Sequence, residues 1–200
     1  MKNNFQTGES PQIDSRMSLR QRDRILWWAA PTAILLGIVA RLWQYTANPS
    51  IWVDEAAIAR NVLDRQPLQL FLPLDYAQMA PPGFLLSIKL SAAVLGFSEY
   101  ALRLTPITTG VVSVILFFFA ARAVLQPVAS IVAVFMFSIA IPLVFFSSNL
   151  KQYSSDVAMT LIIILIAFRL HRSTLSHRGV FGFALAAIPL LFFHKPLCSR

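Results

Sequence analysis

The 200-residue sequence holds a single cysteine, Cys198, which excludes an internal disulfide framework and any multi-cysteine metal site. Charge is scarce: Asp, Glu, Lys and Arg make up 13% of the chain, where a soluble domain carries about 25%. No Gly-rich phosphate loop, Cys-x-x-Cys, His-Glu-x-x-His or Gly-x-Ser-x-Gly occurs, so the corresponding nucleotide, zinc and serine-hydrolase chemistries lack their signatures. No internal repeat is present.

What fills the chain instead is apolar. Hydrophobic residues reach 56%, with 16 Phe and 4 Trp, and the mean hydropathy is +0.64. This excludes intrinsic disorder, collagen-like repeats and an ordinary water-soluble globule. A net charge of +8 would suggest nucleic acid in a soluble protein. In a membrane protein the same excess marks the inner side of the bilayer, and no nucleic-acid partner is expected. The sequence reads as an all-α, polytopic integral membrane protein.

A spanning helix needs about 20 mostly apolar residues. The first candidate covers 25–43, too long for a signal-peptide core and followed by no small-residue cleavage site. Trp27, Trp28 and Trp43 stand at its ends, at the depth indole rings prefer. Pro31 falls in its first turns, where a missing N–H costs least. Residues 1–24 are polar, without apolar periodicity, and are expected as a disordered cytoplasmic tail. Four further apolar runs follow at 105–125, 128–146, 157–170 and 180–193.

The stretch 83–97 is ambiguous. It is short and carries Lys89 in its middle, which at the bilayer centre would cost about 2.5–3.5 kcal/mol. If it spans, the basic loop 169–178 moves outside, against the positive-inside rule. If it lies flat, the basic residues of 1–24, Arg122 and the loop 169–178 all fall inside. An interfacial helix is therefore expected, with Leu85, Ile88, Ala92 and Leu95 at helical spacing. The result is five spans, an inside N-terminus, and a long first outside loop at 44–104.

Every acidic residue beyond Asp23 then faces outside: Asp54, Glu55, Asp64, Asp75, Glu99 and Asp156. Asp54 and Glu55 suit proton transfer from a hydroxyl, or a cation that neutralises a phosphate. On spacing alone the plainer roles, helix N-cap for Asp54 and first-turn residue for Glu55, are favoured two to one. Asp156 is also expected as a helix cap, and shares a side with that pair. Arg103 and Lys151 are outside too and suit a phosphate, with surface snorkelling as their default. His171 and His177 are expected to be solvated inside. His194 alone is weak support for a metal.

The ordered set Trp52-Val53-Asp54-Glu55, Asp75-Tyr76-Ala77-Gln78-Met79-Ala80-Pro81-Pro82, Ser98-Glu99-Tyr100-Ala101-Leu102-Arg103-Leu104 and Lys151-Gln152-Tyr153-Ser154-Ser155-Asp156 resembles membrane glycosyltransferases of the GT-C fold. The similarity is to the bacterial protein O-mannosyltransferase, aminoarabinose transferase and RgtA/B/C/D-like group, from about residue 40 onward. The resemblance implies a GT-C-like domain over 25–200 that moves a sugar from a polyprenyl-phosphate donor to a glycan, lipid or protein acceptor on the outer face. It implies Asp54 as the acidic catalytic residue with Glu55 beside it, Asp156 as the second-loop acid, and Arg103 near the donor phosphate. Aminoarabinose transferases carry Glu-Lys before the double proline, where Met79 and Ala80 stand here, so that metal site and lysine are not carried over. No cofactor is assigned, although a divalent cation is compatible with the chemistry. Family members are much longer, so the chain is expected to be an N-terminal fragment. The alternative is a non-catalytic remnant or accessory protein that binds lipid-linked sugar; a transporter ranks last. The expected location is the inner cell membrane.

Overall fold

The computed structural model describes residues 12–172, and their side chains over 28–170. Helix α1 (Gln12–Ala47) leads into α2 (Val53–Asp64) and a short 3-10 helix (Pro67–Phe71). Then come α3 (Pro82–Leu95), α4 (Glu99–Val124), α5 (Pro127–Ile139), α6 (Ile141–Phe146) and α7 (Tyr153–Arg172). No strand occurs among the described residues, in keeping with the expected all-α class.

Two elements, Glu99–Val124 and Tyr153–Leu170, are long and apolar enough to cross a membrane. Only 22% of the apolar window of Tyr153–Leu170 is buried inside the protein, so its outward side chains need an apolar surrounding. Helix α4 packs against α1, α3, α5 and α7, and α1 packs against α5. Close approach is made possible by small residues. A Cβ on Gly37 would lie 2.7 Å from Ser138 Oγ, and one on Gly110 would lie 2.6 Å from Ser147 Cβ, so neither position accepts a side chain without displacement.

Three expectations are corrected here. Helix α1 begins at Gln12, so 12–24 is helical where a disordered tail was expected. An apolar helix already nucleated at 25–43 extends into a polar flank at little cost, because each added residue gains a hydrogen bond. Pro31 accordingly lies inside α1, not in its first turns. The run 128–146 is two helices rather than one: it breaks at Ala140, with Pro142 in the first turn of α6, because proline cannot donate to the carbonyl of a preceding turn. The expected fifth span 180–193, with His177, His194 and Cys198, lies outside the described residues, as does the side chain of His171.

The main core sits at one end of the helices. Ile58 and Val62 from α2, Leu70 from the 3-10 helix, the trio Phe84, Leu85 and Ile88 from α3, Leu102 from α4 and Leu150 form one buried cluster. Leu85 and Ile88 face this core as their spacing requires, Ala92 packs on its margin, and Leu95 is exposed. Lys89 explains why the ambiguous stretch carries a cation. Its Nζ donates to Val62 O and Arg65 O, each at 2.7 Å. The ammonium thus satisfies carbonyls at the C-terminus of α2, where a helix dipole favours positive charge.

Candidate functional site

The C-terminus of α1, the N-terminus of α4 and the α6–α7 connection meet at this same end. Tyr45 Oη donates to Tyr100 O at 2.8 Å and Tyr100 Oη to Thr46 O at 3.4 Å, which ties α1 to α4. Burial pushes the Tyr45 phenol above its ordinary range; Tyr100 adds to the shift and Arg103 opposes it. Asn48 then turns the chain with φ of 39°, a left-handed conformation that Asn tolerates better than most residues.

Trp52, not Asp54, is the N-cap of α2. Asp54 and Glu55 are therefore the second and third residues of the first turn, on different sides of the helix. Glu55 points inward and is 2% exposed. Its Oε2 accepts the Trp52 backbone N–H at 3.1 Å and its Oε1 accepts the Leu150 N–H, so one carboxylate joins the start of α2 to the α6–α7 connection. Arg103, 1% exposed, sets its Nη2 3.5 Å from Glu55 Oε2. Its Nη1 donates to Asn48 Oδ1 at 2.7 Å and lies 4.0 Å from Glu99 Oε2. Arg103 is thus enclosed rather than snorkelling, because two carboxylates and an amide compensate its charge.

Asp54 points outward, with its side chain 69% exposed. Lys151 Nζ stands 3.5 Å from Asp54 Oδ2 and donates to Gln78 Oε1 at 3.1 Å. This pair edges an open depression of about 520 Å³ lined by Asp54, Tyr76, Gln78, Met79, Lys151 and Tyr153, among others. A second depression of about 330 Å³ shares Asp54, Tyr76 and Gln78 and reaches Arg60. The hydrogen bond that Arg60 Nε donates to Asp64 Oδ2 pushes the Arg60 guanidinium above its usual range, with the Asp64 charge and Tyr76 adding to it.

The rim segment is held in an unusual conformation. Asn61, buried at 2% exposure, accepts the Asp75 N–H on Oδ1 at 2.9 Å and donates through Nδ2 to Asp75 O at 3.2 Å. Arg65 Nη2 lies 2.9 Å from Asp75 Oδ2. Beyond this clamp Tyr76 and Ala77 have φ of 61° and 53°. Such left-handed non-glycine residues cost about 1–3 kcal/mol each and persist where the surroundings fix them.

Of the expected site residues, the structure brings Glu55 and Arg103 together below the surface and Asp54 and Lys151 together upon it. Asp156 lies in the first turn of α7, its N–H donating to Gln152 O at 2.9 Å; it is not the cap of that helix, and it does not line the depression with Asp54. Sequence reasoning missed Asn61, Gln78, Tyr76 and Arg41. The signal for Arg41 was available: an arginine inside an apolar run is a functional position by default. Arg41 is 0% exposed, and its Nη1 donates to Gly37 O at 3.0 Å and Ser138 O at 3.1 Å, so it bridges α1 to the end of α5.

Among the described residues, no group of three or more His, Cys, Asp or Glu gathers in a way that could hold a metal ion. The exposed carboxylate of Asp54 already faces an ammonium, and a single carboxylate is a poor donor set for a hard cation.

An all-α membrane protein with a charged, open site gathered at one end of its helices is the class these observations define. The family model for dolichyl-phosphate-mannose-protein mannosyltransferase matches residues 79–197, more than half of the chain. The chain belongs to this family of membrane glycosyltransferases of the GT-C type. No curated protein and no solved structure matches it.

Proposed function

We propose that the chain takes part in transfer of a sugar from a polyprenyl-phosphate donor to an acceptor hydroxyl at the outer face of the inner cell membrane, with Asp54 as the general base. The observation that carries this reading is the division of labour between adjacent carboxylates. Glu55 is enclosed with Arg103 and fixes the start of α2, which leaves Asp54 free to face the open depression beside Lys151.

In the proposed reaction the acceptor oxygen attacks the anomeric carbon as its proton passes to an Asp54 carboxylate oxygen. The bond from that carbon to the phosphate oxygen breaks, and the electron pair leaves on the polyprenyl phosphate. Lys151 offers its ammonium to the departing phosphate, which stabilises charge as it develops. Arg103 acts by position, fixing Glu55 and Asn48 beneath the site, rather than by contact with the donor. Asp156 is kept as the second-loop acid, one turn into α7 from Gln152 on the rim.

The orientation supports the same reading. The termini that gather at the site end are those that five spans with an inside N-terminus would place outside. Arg122, in the last turn of α4, and Arg169, near the end of α7, belong to the other end, as the positive-inside rule demands.

Transfer of radiolabelled mannose from a polyprenyl-phosphate donor by membranes containing the chain tests the proposal. Asp54→Asn is expected to lower the rate by about 10²–10⁴-fold, the usual worth of a general base. Full retention of transfer by Asp54→Asn overturns it. Binding of the donor by the wild type without any transfer favours the accessory reading instead.

A further inference from the structure

We infer that Tyr76 and Tyr153 form an aromatic platform for the sugar ring of the donor, with Tyr76 as the specificity-determining residue. This rests on the functional reading above and deepens it by assigning the pyranose, as distinct from the phosphate, to named side chains.

Both residues line the depression that holds Asp54 and Lys151. Tyr76 is 62% exposed and Tyr153 is 45% exposed, so each offers an uncovered surface beside the charged pair. Neither is loosely placed. Tyr153 is braced by Phe146 in an edge-to-face contact with centroids 4.6 Å apart, and it opens α7. Tyr76 is fixed through its backbone: the two-handed grip of buried Asn61 on the Asp75 peptide and the Arg65–Asp75 ion pair precede it. Its own φ is 61°. A bulky residue with positive φ is a strong outlier, and here it carries a large side chain to the rim where burial gains it nothing.

The chemistry fits a pyranose. Ring C–H groups carry a slight positive charge and pack on the negative face of an aromatic ring, while the sugar hydroxyls remain free for Gln78, Gln152 and water. Lys151 and Asp54 supply the charged end of the same depression. An aromatic face beside a cation thus divides recognition into two parts. The ring selects the sugar, and the ammonium selects the phosphate.

Calorimetric titration of the full chain in nanodiscs with citronellyl phosphate mannose and with citronellyl phosphate separates the two. The wild type is expected to bind the sugar-bearing lipid more tightly. Tyr76→Ala is expected to remove that preference, weakening the sugar-bearing lipid about tenfold, the upper range for a ring contact, and leaving the sugarless lipid unchanged. Tyr76→Phe keeps the ring and is expected to keep the preference. Lys151→Gln is expected to weaken both lipids. An unchanged preference in Tyr76→Ala, an equal loss for both lipids, or a wild type without preference overturns the platform. If the wild type binds neither lipid, the functional reading itself fails and the platform with it. The exposed Tyr76 side chain touches no core, and the melting temperature of Tyr76→Ala should match that of the wild type; a large drop with loss of both lipids also counts against the assignment.

Discussion

Asp54 and Glu55 are neighbours with opposite environments, and the difference follows from the helical turn of about 100° between successive residues. Glu55 exchanges water for the Leu150 and Trp52 N–H groups and the Arg103 guanidinium. Its removal leaves Arg103 buried without its nearest counter-charge. Glu55→Ala is therefore expected to lose about 3–5 kcal/mol of stability, as broken buried pairs do, and to melt well below the wild type in detergent. Asp54→Asn touches only the pair with Lys151, in which the carboxylate is the exposed partner, and ion pairs at a surface contribute about 0–1 kcal/mol. It should melt with the wild type while losing transfer. The two variants thus separate stability from chemistry at adjacent positions. From the sequence, Asp54 and Glu55 were legible as a pair but not as a division of roles, because that depends on Trp52, rather than Asp54, being the cap. Tyr76 and Asn61 were not legible as site residues at all. The grip of Asn61 on Asp75 joins residues 14 apart, and no periodicity reports it.

At the level of elements, the apolar runs at 105–125 and 157–170 fall within the helices at 99–124 and 153–170, and the stretch 83–97 falls largely within α3, which packs on α2 and α4. Lys89 was read as a cost to be avoided. It proves to be a cap for a different helix, which only the fold could reveal. Lys89→Met is expected to leave the carbonyls of Val62 and Arg65 unpaired, at about 1–3 kcal/mol for a buried group. Hydrogen exchange should then quicken in the last turn of α2 before it does so in α4. The break at Ala140 was missed because composition across 128–146 is uniformly apolar, and hydropathy does not register the proline that divides it. Small residues set the spacing of α1 and α5. Gly37→Val is expected to separate them, since even a Cβ meets Ser138 Oγ at 2.7 Å. Overpacking of this kind costs about 1–3 kcal/mol, read as a lower melting temperature.

For the whole molecule, the charge distribution predicts which end faces which side. In a background with Cys198 replaced by serine, a cysteine at Gln69 should react with a membrane-impermeant maleimide in intact cells. A cysteine at Gln126 should react only after permeabilisation; the reverse pattern would place the site end inside. Photo-crosslinking reports where the lipid phosphate meets the protein. A polyprenyl phosphate mannose bearing a diazirine on its first isoprene unit would be irradiated with the chain in native membranes, and the labelled peptides mapped by mass spectrometry. Labelling is expected within 51–54, 76–79 and 151–153, suppressed by excess unmodified donor. Labelling confined to the opposite end, around Arg122, or unaffected by that excess, would contradict it.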